Sequence, residues 1–145
     1  TGVRISELVL FDVEDVKKGY RDIYSKGNKL RRVYIPAVLR KAFEEWPGFS
    51  QRPDGILFLN RFGAPLSASG IRFQLKVFAA RYDIDPDVMY PHSFRHRFAK
   101  NFIEVCPDIA LLSDLLGHDS IETTRIYLRR SSREQYHIVN QVVNW

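Results

Sequence analysis

Apolar positions along the chain change period several times, and each change marks an element. Ile5, Leu8 and Val9 recur at helical spacing and predict a short helix from Ile5 to Leu10. Tyr20-Arg21-Asp22-Ile23-Tyr24 and Leu30-Arg31-Arg32-Val33-Tyr34-Ile35 alternate as strands do, with Gly27-Asn28 supplying a turn between them. Pro36 opens a helix to about Trp46, at a position where a missing N–H costs nothing. Pro47-Gly48 and Arg52-Pro53-Asp54-Gly55 bracket a loop, and Ile56 to Leu59 reads as a short strand or an extended apolar segment. Ser67 caps a helix to about Tyr82 carrying Ile71, Leu75, Phe78 and Ala79 on one face.

Past a loop with Pro86 and Pro91, His92 to Val105 is helical and places Phe94, Phe98 and Phe102 four residues apart, as a buried stripe. Pro107-Asp108 starts a helix that Gly117 stops. Ser120 caps the next helix, which carries Tyr127, and Ser132 begins a last one with Ile138, Val142 and Trp145 along a stripe beside Val139 and Val143. The pattern predicts a mainly α fold with a small antiparallel β-sheet near the N-terminus.

Composition narrows the functional classes. With 145 residues the chain is one domain, large enough to bury a core. No apolar run approaches the roughly 18 residues of a membrane span, and no signal peptide is visible, so a cytoplasmic setting is expected. Cys106 is the single cysteine, which rules out an internal disulfide or a thiolate cluster. The net charge of +5 favours a polyanionic partner. Its distribution says more: Lys26, Lys29, Arg31 and Arg32 form one basic group, Arg95, Arg97 and Lys100 a second, and Arg125, Arg129, Arg130 and Arg133 a third. Gly-rich phosphate loops and carboxylate clusters are missing, so neither metal nor nucleotide cofactor is implied.

Each basic group adjoins a short motif. These are Thr1-Gly2-Val3-Arg4-Ile5-Ser6-Glu7-Leu8, the turn Ser25-Lys26-Gly27-Asn28-Lys29, Pro91-His92-Ser93-Phe94-Arg95-His96, and Gly117-His118 with Thr123-Thr124 leading to Tyr127. Metal-free attack on a phosphodiester needs a nucleophile, cationic donors for the non-bridging oxygens, a base, and an acid for the leaving oxygen. A tyrosine can be the nucleophile, and guanidinium matches phosphate as a planar fork. His92 and Arg95 lie three residues apart, on one helix face behind Pro91.

In this order the motifs resemble the catalytic domain of the tyrosine recombinases, the phage integrase and Xer-type enzymes. The resemblance runs from the first residues to the last turn. It implies a site-specific DNA recombinase in which Tyr127 forms a covalent 3′-phosphotyrosine, with Arg4 and Arg95 gripping the phosphate. His92 would be base or proton relay, His118 a second phosphate donor and Lys26 the general acid, with Lys29 its rival in the same turn. Glu7 would orient Arg4 or a histidine, or is simply a helix-surface glutamate. Lys29, Arg31, Arg97 and Arg125 are candidate DNA contacts. His96 and His137 match no motif position and read as structural.

The resemblance further implies double-stranded DNA as partner and a homo-oligomer, expected to be a tetramer, assembled on it, with an isolated piece monomeric. It also implies upstream helices and a separate DNA-clamping domain, so the chain reads as a fragment. A type IB topoisomerase shares the chemistry, and a DNA-binding remnant without activity is the reading outside the enzymes. The tail helix is expected either to dock on a neighbouring protomer or to close its own core.

Overall fold

The computed structural model describes residues 1–24, 30–128 and 131–143. The turn holding Lys26, Gly27, Asn28 and Lys29 lies outside them, as do Arg129, Arg130 and Trp145. Within them the chain is mostly helical with one two-stranded antiparallel sheet.

The N-terminal half is built on α1 (Ile5–Leu8), α2 (Val13–Lys18), β1 (Tyr20–Tyr24), β2 (Leu30–Tyr34), α3 (Ala37–Glu44) and α4 (Pro47–Ser50). Asp12 caps α2: its carboxylate accepts from the Asp15 amide while Asp15 accepts from the Asp12 amide, so two unpaired donors are satisfied reciprocally. Gly19 ends α2 in the left-handed conformation that glycine adopts at no steric cost. The strands pair from Tyr20↔Tyr34 to Tyr24↔Leu30. In β2 the alternation sends Arg31 and Val33 inward. Val33 joins Phe11, Val13, Val16, Ile35, Phe49 and Leu57 in one hydrophobic cluster.

The C-terminal half comprises α5 (Ala68–Arg81), α6 (Pro91–Val105), α7 (Ile109–Leu116), α8 (Glu122–Arg125), a 3₁₀ turn at Ile126–Leu128, and α9 (Ser132–Val142). Ser67 caps α5 by accepting from the Gly70 amide, and Asp108 caps α7 by accepting from the Leu111 amide. The second core is Ala99 and Ile103 of α6 against Leu112 and Leu116 of α7, with Phe98, Phe102, Tyr127 and Leu128 packed on it.

Three expectations are corrected. The Pro47 segment is not all loop: Pro47 sits in the first turn of α4, where its fixed φ suits a helix start. Of the two readings of Ile56 to Leu59 the extended segment holds, with isolated bridges Asp12↔Ile56 and Leu59↔Pro65. On α6 the buried stripe is Arg95, Ala99 and Ile103, one position away from the phenylalanines, and Phe94 is 53% exposed. The small Ala99 lets α7 approach closely, so the helix turns that side inward. Finally, Tyr127 is in the 3₁₀ turn after α8 rather than on an α-helix. Ser120 nevertheless serves the start of α8, its hydroxyl accepting from the Glu122 amide at 3.2 Å.

No helix of the described residues is long and apolar enough to cross a membrane.

Candidate active site

The C-terminus of α7 organises the site. Gly117 takes φ +63°, and the chain closes the helix with the His118 amide donating to the Ser113 carbonyl and the Gly117 amide to that of Asp114. This double closure is the Schellman pattern. It leaves the next three carbonyls, of Leu115, Leu116 and Gly117, without main-chain donors, at the negative end of a helix dipole. Three arginines from three elements fill them. Arg31 Nη1 donates to Leu115 O at 3.2 Å, Arg95 Nη2 to Leu116 O at 2.7 Å and Arg4 Nη2 to Gly117 O at 2.6 Å. The glycine is needed twice over, for its φ and because a Cβ there would stand 2.8 Å from Arg31.

Glu7 ties two of these arginines together. Its Oε1 accepts from Arg4 Nη1 at 3.0 Å, while Oε2 accepts from Arg31 Nη2 at 2.6 Å and from the Arg4 amide at 2.8 Å. Burial pushes the carboxyl pKa up, but the Arg4 amide, the Arg31 charge and the two guanidinium hydrogen bonds outweigh it and hold it below the usual value. Glu7 is therefore a charged clamp between Arg4 and Arg31, and it holds no histidine. Arg31, read from sequence as a DNA contact, is buried in this clamp. It neutralises Glu7 and braces α7.

Arg95 is only 6% exposed, and its Nη1 donates to Gly2 O at 2.6 Å. Desolvation lowers its pKa to about 10, helped by the charges of Arg4 and Arg31, so it stays cationic at neutral pH. Gly2 has φ +63°, and a Cβ on it would come within 2.4 Å of Phe98, so only glycine lets the N-terminal segment lie this close to α6. Arg4 differs from both partners in leaving 41% of its side chain exposed, which makes it the accessible guanidinium of the three.

His118 follows the helix stop. Its Nδ1 lies 2.7 Å from the hydroxyl of Thr124, a fully buried residue of α8. Burial first, then Arg95, Arg4 and Arg31, push its pKa down to about 4. The imidazole is thus neutral at physiological pH. In the unfolded chain it titrates near the ordinary value of 6.5. Between about 6.5 and 4 the unfolded state therefore binds the additional proton, and stability falls as pH drops through that window. Thermal melting across this range should show the loss, and His118→Gln should flatten that part of the profile.

Tyr127 is half-buried on the second core, its ring 5.1 Å from that of His96 at 57°. His96 was read as structural, yet it is the histidine that touches the tyrosine. Its pKa is lowered by burial and then by Lys100, His92 and Arg97. The sequence signal for it was spacing: His92 and His96 are four apart, on one face of α6. His92 itself is exposed in the first turn of that helix. Arg97 is exposed on α6, and Arg125 is exposed on α8, paired with Glu122 at 3.0 Å. The structure thus brings together Arg4, Glu7, Arg31, Arg95 and His118, with Tyr127 on the α6–α7 core against His96. Lys26 and Lys29 lie outside the described residues.

The family model described as "Phage integrase family" matches residues 1–134. The chain belongs to the phage integrase family. Among curated relatives of this integrase-family chain, tyrosine recombinase XerC of Pseudomonas aeruginosa is 38% identical over 132 residues, covering 88% of this chain and 43% of that protein. Tyrosine recombinase XerD of Corynebacterium glutamicum is 37% identical over 134 residues, covering 88% and 44%. The integrase-family chain therefore spans under half the length of these relatives.

Its fold matches that of solved recombinases. A XerA recombinase superposes with a TM-score of 0.77 at 24% identity, over 100% of this chain and 55% of that one. A XerH site-specific recombinase bound to difH substrate gives 0.73 at 25% identity, over 96% and 43%.

Proposed function

We propose that this is the catalytic part of a site-specific DNA recombinase that cleaves and rejoins strands through Tyr127 without ATP or metal. The observation that carries the reading is the gathering of Arg4, Arg95 and His118 on one helix end, with Tyr127 packed on the α6–α7 core and against His96. In this reading the Tyr127 oxygen attacks the scissile phosphorus. A phosphotyrosine bond forms on the 3′ side, and the bond to the 5′-oxygen breaks. The phenolic proton passes to a base, for which His92 is the candidate, and the departing oxygen is protonated by Lys26. A 5′-hydroxyl of a second strand then attacks the phosphotyrosine and returns the tyrosine. The covalent linkage conserves the phosphodiester energy, so rejoining needs no nucleotide.

Positive charge placed in advance where the pentavalent phosphate develops negative charge is the main catalytic resource of such a site. Arg4 and Arg95 would supply it, and neutral His118 would add a hydrogen-bond donor, from groups already held by α7, so little reorganisation accompanies the reaction. Glu7 would keep Arg4 aimed. Arg97 and Arg125 remain candidates for phosphates flanking the scissile one. The curated relatives are named recombinases, which favours strand exchange over the same-strand rejoining of a type IB topoisomerase.

Double-stranded DNA is the proposed partner, supported by the DNA-bound XerH structure among the fold neighbours. Assembly as a homo-oligomer, a tetramer in this reading, is supported by the tail. Tyr136, Val139, Val142 and Val143 of α9 and its end are all exposed, leaving an apolar stripe for a neighbouring protomer to cover.

The test is trapping. Full-length protein with a duplex nicked near the scissile phosphate should give a denaturant-stable adduct, and peptide mapping should place it on Tyr127. An adduct on another residue, or none with a cognate site, sinks the proposal. The acid is tested separately. Lys26→Ala should slow cleavage by roughly 10²–10⁴, the range for losing a positioned acid. A substrate with sulfur at the 5′-leaving position should restore most of the rate, because a thiolate departs unprotonated. If only Lys29→Ala shows that rescue, the acid is Lys29.

A further inference from the structure

His118 can present either of two neutral faces to a phosphate, and only one of them is useful. A neutral imidazole carries its proton on Nδ1 or on Nε2, and the partner of one nitrogen decides the other. Nδ1 of His118 lies 2.7 Å from Oγ1 of Thr124, and that is the one hydrogen bond of either side chain among the described residues. Thr124 is 0% exposed, so its hydroxyl proton has no water to turn to. Among the described residues no carbonyl of the same turn, including Ser120 O one turn back, is hydrogen-bonded to Oγ1. Were Nδ1 to carry the proton and donate to Oγ1, the threonine O–H would be buried without an acceptor, an arrangement that folded proteins avoid.

We infer that Thr124 is a positioning residue whose hydroxyl donates to Nδ1 of His118 and fixes the ring with its proton on Nε2. This rests on the recombinase reading for its purpose: Nε2–H is then the donor offered to a non-bridging phosphate oxygen. The ring is held from two sides, since the His118 amide is also committed to Ser113 O in the helix stop. Asp119 is the acidic neighbour that raises the His118 pKa, and Arg4, Arg31 and Arg95 face the ring with the opposite effect. A neutral donor therefore faces the phosphate beside two cationic ones, so the site can hold its donors without further charge repulsion. Thr124 lies at the same side of α8 that packs on α7, which places the device inside the fold rather than on the DNA-facing surface.

The experiment reads the tautomer directly in the full-length protein. Nitrogen NMR on ¹⁵N-histidine-labelled protein, with His118 assigned by His118→Gln, should show the Nε2–H form in the parent and in Thr124→Ser. Thr124→Val keeps the shape, removes the hydroxyl, and should give a mixture of tautomers. Single-turnover cleavage of the nicked substrate should fall about 10–100-fold in Thr124→Val, the range for losing a supporting partner of an active-site histidine, and recover in Thr124→Ser. DNA affinity should stay level, because the lost interaction acts on the ring's orientation rather than on the phosphate footprint.

An Nδ1–H signal in the parent overturns the inference. So does an unchanged tautomer in Thr124→Val, even where that variant cleaves slowly. If the parent forms no adduct, the recombinase reading fails, while the tautomer measurement still decides the role of Thr124.

Discussion

Tyr127→Phe should abolish the covalent DNA adduct while leaving affinity for the duplex within the error of the parent. The ring of Tyr127 packs on the α6–α7 core and against His96. Phenylalanine keeps both contacts and removes only the oxygen that would attack phosphorus. No other side chain can take over, because the attacking atom must approach in line with the departing 5′-oxygen, and a displacement of even an ångström costs orders of magnitude. The measurement is a denaturing gel of the nicked-substrate reaction, paired with a binding isotherm and a melting curve for both proteins. An adduct that persists in the variant overturns the assignment of the nucleophile.

Arg95 offers the second large effect, and it separates chemistry from architecture. Its guanidinium spans Gly2 O on one side and Leu116 O on the other. Arg95→Ala leaves both carbonyls without that donor inside the fold, so a stability loss of about 1–3 kcal/mol is expected alongside lost cleavage. Arg95→Lys is the informative variant. Lysine keeps the charge and can reach one carbonyl, but it is a point donor and cannot fork between two fixed acceptors while addressing a phosphate. It should lose only part of the stability that Arg95→Ala loses and yet cleave about 10²–10³-fold more slowly than the parent, the cost of one preorganised donor. Parental cleavage by Arg95→Lys, measured in single turnover, would show that Arg95 only braces the fold.

Much of this was legible in the chain because it is written in local chemistry. Asp108 and Gly117 bound α7 as capping rules require, and Ser67 starts α5. The motif arginines and His118 stand out through their resemblance to the tyrosine recombinase motifs, and the fold gathers them. What failed was mostly sidedness. The period of α6 is visible, but which stripe meets α7 depends on Ala99 being small and on carbonyls at the end of another helix wanting Arg95. Hydrophobicity alone favours Phe94, which ends up exposed.

Arg31 failed for a related reason. A basic residue on a hairpin reads as a DNA contact, and only the long-range approach of Glu7 shows that it is buried and paired. His96 and Thr124 were opaque because their partners, Tyr127 and His118, come from other elements or from across a turn.

Leu115, Leu116 and Gly117 are consecutive, so the three arginines hang on little more than one turn of one helix. A slide or tilt of α7 would carry their anchors together, and the next residue, His118, would travel with them. The positive charge of the site then behaves as a single lever rather than as independent contacts. Anything that grips α7 from outside, such as an adjoining protomer pressing on its exposed residues Leu111 and Asp114, would reach four phosphate-directed or bracing groups in one movement. A recombinase that must cut some strands while sparing others could be governed through such a part without altering any residue that meets the phosphate.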